Sequence, residues 1–258
     1  MCLILLAWQV HPDYPLVVAA NRDEFYSRPA TPAGFWAELP GILAGRDLES
    51  GGTWLGVSRR KRFAALTNYR EGGPPLANAP SRGALVTGFL NNDGDPAAYL
   101  ETLKGCGARY NGFNLLFGDC HRLGYYTNRQ AAPAWLAPGV YGLSNHLLDT
   151  PWPKLSEAKA SFNRALAKLP DLAPFFELLA DREIVADTFL PQSGVSLEWE
   201  RILSAIFVAS PDYGTRASTV LTINHQGWVA LAERSFGPTG QPVGAVCETF
   251  MSAAISAR

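Results

Sequence analysis

The chemistry of this chain can begin at its second residue. Cys2 directly follows the initiator methionine, and so small a side chain normally allows that methionine to be trimmed. Thiol and free amine then share one residue. An α-amino group titrates near ~7.7 to 8.0, so at neutral pH it can act as base for its own side chain, as an N-terminal threonine does in other hydrolases. Such a site needs no histidine. A cysteine here is also what a small buried residue opening a strand looks like, so the assignment depends on its surroundings.

The surroundings include Asn21-Arg22-Asp23-Glu24, four polar or charged residues closing an apolar run. Burying such a cluster is costly unless every member is paired. Strand alternation sends Asn21 and Asp23 to one face and Arg22 and Glu24 to the other, and only one pair need reach Cys2. The plainer alternative is a strand end carrying surface ion pairs. Asn68 and Asn145 also fall at strand ends, where turn residues are common. Arg216 follows Gly214 and Thr215 and has Asp212 as its simplest partner.

The elements that must position these residues are mostly strands. Cys2 to Trp8 and Leu16 to Ala20 are apolar throughout and joined by the polar turn His11-Pro12-Asp13-Tyr14-Pro15, which reads as a buried hairpin that sets the cluster beside Cys2. Further strands are expected at Gly41 to Gly45, Thr53 to Val57, Phe63 to Asn68, Gly112 to Phe117, Leu123 to Thr127, Val140 to Ser144, Ala217 to Ile223 and Trp228 to Glu233. Helical spacing occurs at Arg82 to Asn91, Pro96 to Leu103, Lys154 to Leu169, Leu172 to Ala180 and Leu197 to Phe207. In the third of these, Leu155, Ala158, Phe162, Ala165 and Leu169 share a face, with Lys154 among the residues turned away. Strands apolar on both faces must be covered on both sides. The expectation is an α+β fold, a four-layer αββα sandwich of two mainly antiparallel sheets, forming a single domain over residues 1–258.

Other chemistries lack their anchors. Gly142-Leu143-Ser144-Asn145-His146 misses the second glycine of a nucleophile elbow, and no phosphate-binding loop occurs. Gly105-Cys106-Gly107 meets Tyr110 where a dinucleotide loop needs glycine, and Cys120-His121 has no companions at zinc spacing. Neither cofactor nor metal is expected. Arg59-Arg60-Lys61-Arg62 reads as a solvated hairpin tip. The 258 residues are 47% hydrophobic, and 22 basic against 23 acidic side chains give a net charge of -1, which supplies no field for a nucleic-acid partner. No apolar run reaches the ~18 residues of a membrane span, and the N-terminus lacks a basic leader. Four cysteines without a C-x-x-C pair point to reduced thiols and a cytoplasmic location.

Taken together, Met1-Cys2, Asn21-Arg22-Asp23-Glu24, Gly51-Gly52-Thr53-Trp54-Leu55-Gly56, Thr67-Asn68-Tyr69-Arg70, Gly142-Leu143-Ser144-Asn145-His146 with Pro151-Trp152-Pro153-Lys154, and Tyr213-Gly214-Thr215-Arg216-Ala217-Ser218-Thr219 closely resemble the NRDE family, also called the transport and Golgi organisation 2 family. The resemblance implies an N-terminal-nucleophile hydrolase fold, shared with penicillin V acylases and bile salt hydrolases, which cleave non-peptide amides. By that analogy Cys2 is the nucleophile, Asn145 and the Asn68 backbone amide are oxyanion donors, and Arg216 lies near the thiolate and lowers its pKa. In those acylases an arginine and an aspartate after the first hairpin are separated by two residues. Here Arg22 and Asp23 are adjacent, and Asn21 with Glu24 are the other pair that fits. The implied activity is amide hydrolysis of a small-molecule amide or acyl substrate through a thioester. The alternative that the family implies is a non-catalytic haem or lipid carrier on the same fold.

Overall fold

A computed structural model describes residues 2–130 and 133–252. The expected trimming of Met1 therefore concerns a residue outside those described. The first hairpin forms as the apolar runs require, with β1 (Cys2–Trp8) antiparallel to β2 (Leu16–Phe25). With β10 (Gly139–Leu143), β11 (Tyr213–Ile223), β12 (Trp228–Phe236) and β13 (Pro242–Met251) they make a six-stranded sheet in the order β10-β1-β2-β11-β12-β13. The second sheet has seven strands in chain order: β3 (Ala30–Phe35), β4 (Ile42–Asp47), β5 (Leu55–Ser58), β6 (Phe63–Asn68), β7 (Phe113–Gly118), β8 (Leu123–Thr127) and β9 (Ala134–Trp135). All named pairings are antiparallel.

The unbroken apolar runs are explained by cover on both faces. Ile4, Leu6, Val18 and Ala20 of the first sheet meet Leu43, Val57, Ala65 and Leu116 of the second in one inter-sheet core. The alternate residues Leu3, Leu5, Val17 and Ala19 pack outward against α3 (Pro153–Leu166) and α4 (Ala173–Leu179). Across the molecule, α1 (Gly83–Leu90) and α2 (Pro96–Cys106) cover Ala64, Leu66, Leu115 and Phe117. This is the expected αββα sandwich. Each fully buried Leu, Ile or Phe in these layers contributes roughly 1.5–3 kcal/mol.

Three strands lie where none was expected. β3 and β13 are edge strands; β3 carries Pro32 at a register shift, and β13 opens on Pro242 with both faces largely exposed. Proline and missing alternation are tolerated at edges, and they erase the sequence signal. β9 has only two residues. Several ends also move. β2 runs five residues beyond Ala20, α3 stops at Leu166, and α5 (Leu197–Ile202) ends well before Phe207. Lys154, expected on the outward side of its helix, is buried with its ammonium donating to the Leu203 carbonyl at 2.7 Å. Arg62 likewise leaves the basic hairpin tip and donates to the Phe89 and Gly94 carbonyls.

Candidate active site

Cys2 is the first residue of β1 and stands opposite Arg22, and directly opposed residues share a face. Both therefore turn toward the space between the sheets, in line with Ile4 and Ala20. Here the apolar filling stops and a cavity of about 390 Å³ opens. Cys2, Arg22, Asp23, Glu24, Asn68 and Arg216 all line it. Asn145, two residues past the end of β10, and Asn21 do not line it.

Asn145 is fully buried and connects three strands' ends. Its Oδ1 accepts from the Cys2 backbone nitrogen at 3.3 Å, and its Nδ2 donates to the Asn68 carbonyl at 2.8 Å. Ser144 Oγ donates to the Cys2 carbonyl at 3.1 Å. The Gly142 to His146 segment thus grips Cys2 through its main chain. Arg70, two residues after Asn68, donates its backbone N–H to the Asn145 carbonyl and pairs with Glu200 in a buried ion pair at 3.0 Å.

The four-residue cluster divides by strand alternation. Asn21 turns away from the cavity and donates to the carbonyls of Leu179 at 2.8 Å and Ile206 at 2.9 Å, while accepting from Ser218 Oγ. It satisfies the last carbonyl of α4. Asp23 also turns its carboxylate to that side, where Thr215 Oγ1 donates to it at 2.7 Å. Burial pushes this carboxyl upward, with the Lys154 ammonium and Arg22 acting against it. Lys154 itself is lowered to about 8 by burial. On the cavity side, Arg22 donates to Asp47 of the opposite sheet at 3.3 Å, and Arg28 binds the same carboxylate through Nε at 2.5 Å. Burial works to raise Asp47, but Arg28 and the Ser50 N–H hold it below the ordinary range. Glu24 lies 3.9 Å from Arg22 and 4.0 Å from Arg28.

Arg216 differs from its expected role. It falls at the bulge between Thr215 and Ala217, and its guanidinium donates to the carbonyls of Phe25, Tyr26 and Arg28, bracing the turn after β2. Among side chains, the cation that acts on the thiol is Arg22. The thiol is also not acidified: burial pushes it up, Asp23 adds to that, and Arg22 only partly opposes it. The net shift is toward the protonated thiol.

Several cavity residues carried no recognisable sequence signal. Glu233 reaches from β12 to accept from the Ala33 N–H at 2.8 Å and from Thr219 Oγ1 at 3.0 Å, tying the sheets together. Its only cue is a charge at an inward strand position. Arg82 sits at the start of α1, where Gly52 and Gly83 pack backbone to backbone; a Cβ on Gly52 would meet the Gly83 carbonyl carbon at 2.7 Å. That contact fixes the helix start at the cavity wall. Among the described residues, none of the histidines lines the cavity.

Comparison with known proteins agrees with this architecture. The family model described as transport and Golgi organisation 2 matches residues 1–238. The transport and Golgi organization protein 2 homolog of Bos taurus is 44% identical over 260 residues, covering 91% of this chain and 93% of that protein. The human homolog is 40% identical with the same coverage, and the Drosophila melanogaster protein is 26% identical. Among solved structures, a cysteine-to-alanine variant of conjugated bile acid hydrolase from Clostridium perfringens superposes with a TM-score of 0.52 over 97% of this chain and 96% of that one, at 10% identity. That likeness shows a common N-terminal-nucleophile hydrolase fold. Motifs, strand order and relatives converge, and the chain belongs to the transport and Golgi organisation 2 family.

Proposed function

We propose that this protein is a cysteine-type N-terminal-nucleophile amidohydrolase that cleaves a non-peptide carbon–nitrogen bond. The observation carrying this reading is the position of Cys2, at the wall of a polar cavity with its backbone nitrogen held 3.3 Å from Asn145 Oδ1. Removal of Met1 makes that nitrogen a primary amine, the nearest base for a thiol that burial keeps protonated. The amine takes the thiol proton, and sulfur attacks the substrate carbonyl to form a carbon–sulfur bond. Asn145 Nδ2 gives one hydrogen to Asn68, and its second is the donor for the oxyanion. Collapse breaks the carbon–nitrogen bond, and the leaving amine takes the proton from the Cys2 ammonium. Water, deprotonated by the same amine, then hydrolyses the thioester and restores the thiol.

The carrier reading gains no support from this lining, which offers haem iron no histidine among the described residues and gives a lipid chain a charged wall. The separating experiment is hydrolysis of an amide and activated-ester panel by protein carrying its native N-terminus. Cys2→Ala should abolish turnover with an unchanged fold. No turnover by the wild-type protein, together with stoichiometric haem binding indifferent to Cys2, would overturn the proposal.

A further inference from the structure

The charges around the cavity do not cancel. Asp47 takes both Arg22 and Arg28, and Glu24 lies within 4.0 Å of the same two guanidinium groups. Arg46 pairs with Glu38. Glu233 is hydrogen-bonded on both oxygens, and burial pushes it upward, toward its neutral form. Asp23 turns its carboxylate to Thr215 on the far face. Two cations are left over. Arg216 binds main-chain carbonyls and lies over the Tyr26 ring, and Arg82 gives a single side-chain hydrogen bond, from Nη1 to the Gly112 carbonyl at 3.0 Å. Among the described residues no carboxylate lies within ion-pair distance of either.

Arg82 is the more telling of the two. Arg216 has a structural task that uses its donors, whereas most of the five N–H donors of Arg82 have no acceptor among the described residues. Its side chain is partly desolvated, and both Glu24 and Cys2 are close enough to act on it electrostatically. A guanidinium in a polar cavity beside a nucleophile is suited to a planar anion that it can grip with two parallel hydrogen bonds. The Gly52–Gly83 backbone contact holds the start of its helix rigidly in place. We infer that Arg82 is a substrate-binding residue that takes a carboxylate, so that the amide handled at Cys2 belongs to the class of carboxylate-bearing amides. This rests on the nucleophile reading for the position of the scissile bond, while the anion site itself stands on the charge arrangement.

Paired alkylating reagents test it. Iodoacetate carries a carboxylate and iodoacetamide is its neutral counterpart; each forms a carbon–sulfur bond with the thiolate and releases iodide. Rates are measured at Cys2 and, as an internal standard, at exposed Cys247, by peptide mass mapping. The iodoacetate-to-iodoacetamide ratio at Cys2 should exceed that at Cys247 by about tenfold, the effect of one charge-assisted hydrogen bond. Arg82→Gln should bring the two ratios together and Arg82→Lys should keep most of the difference, with melting curves establishing that each variant is folded. Equal ratios at the two cysteines in wild-type protein, or a preference that survives in folded Arg82→Gln, would overturn the inference. Should neither reagent label Cys2, the nucleophile reading fails and thermal melting with glutarate decides the anion site separately. A rise above that given by sodium chloride of equal ionic strength, absent in Arg82→Gln, supports it; equal rises in both proteins refute it.

Discussion

Two asparagines that look alike in the sequence have opposite consequences. Asn145 touches the Cys2 nitrogen and the Asn68 carbonyl, so Asn145→Ala should lower turnover by about 100- to 1000-fold while substrate affinity changes little. Active-site-titrated kinetics on folded protein check this, and near-normal turnover would defeat the oxyanion assignment. Asn21 is buried against two carbonyls and a hydroxyl. Asn21→Ala leaves those groups unpaired at about 1–3 kcal/mol each, so the melting temperature should fall by roughly 6 °C or more, with turnover per folded molecule preserved. Lys154 offers a pH signature. Its native value of about 8 lies below the ordinary 10.5, so the unfolded chain binds the extra proton between those values. The cost of burying the ammonium, about 3 kcal/mol at 1.36 kcal/mol per unit, is present in full below pH 8 and disappears as pH rises toward 10.5. Stability measured by urea unfolding should therefore climb from pH 8 to 10 in wild-type protein, and Lys154→Met should lose that climb.

At the scale of elements, the sequence was legible where pattern and burial coincide. The runs at β1, β2, β6, β7 and β8 are apolar on both faces because helices and a second sheet cover them, and all were expected. The edge strands β3 and β13 were illegible for the converse reason: little of either is buried, so their composition is unconstrained. Six of the eight candidate residues share one cavity lining because β1, β2, β6 and β11 end there. Which face each takes was open until the Cys2–Arg22 register settled it. Arg82, Asp47 and Glu233 reach the cavity from segments distant in sequence, and no local spacing announces such partners. Arg216 sits at a bulge, and bulges leave no reliable trace in a single sequence.

For the whole molecule, the two sheets serve as a clamp that keeps Cys2 between them. Ion pairs from Arg22 and Arg28 to Asp47 and the Glu233 contact with Ala33 cross the gap between the sheets. A blocked N-terminus should leave this framework intact and remove the base. Protein retaining an N-terminal tag should melt normally and turn nothing over, and cleavage that leaves Cys2 first should restore activity. Whether Cys2 is an N-terminal nucleophile is decided by the intact mass of untagged protein before and after reaction with an activated acyl ester, with the adduct mapped by peptide. The expected result is a chain lacking Met1 that gains one acyl group, carried on Cys2. A retained Met1, or acylation that falls on Cys106, Cys120 or Cys247 and spares Cys2, would contradict it.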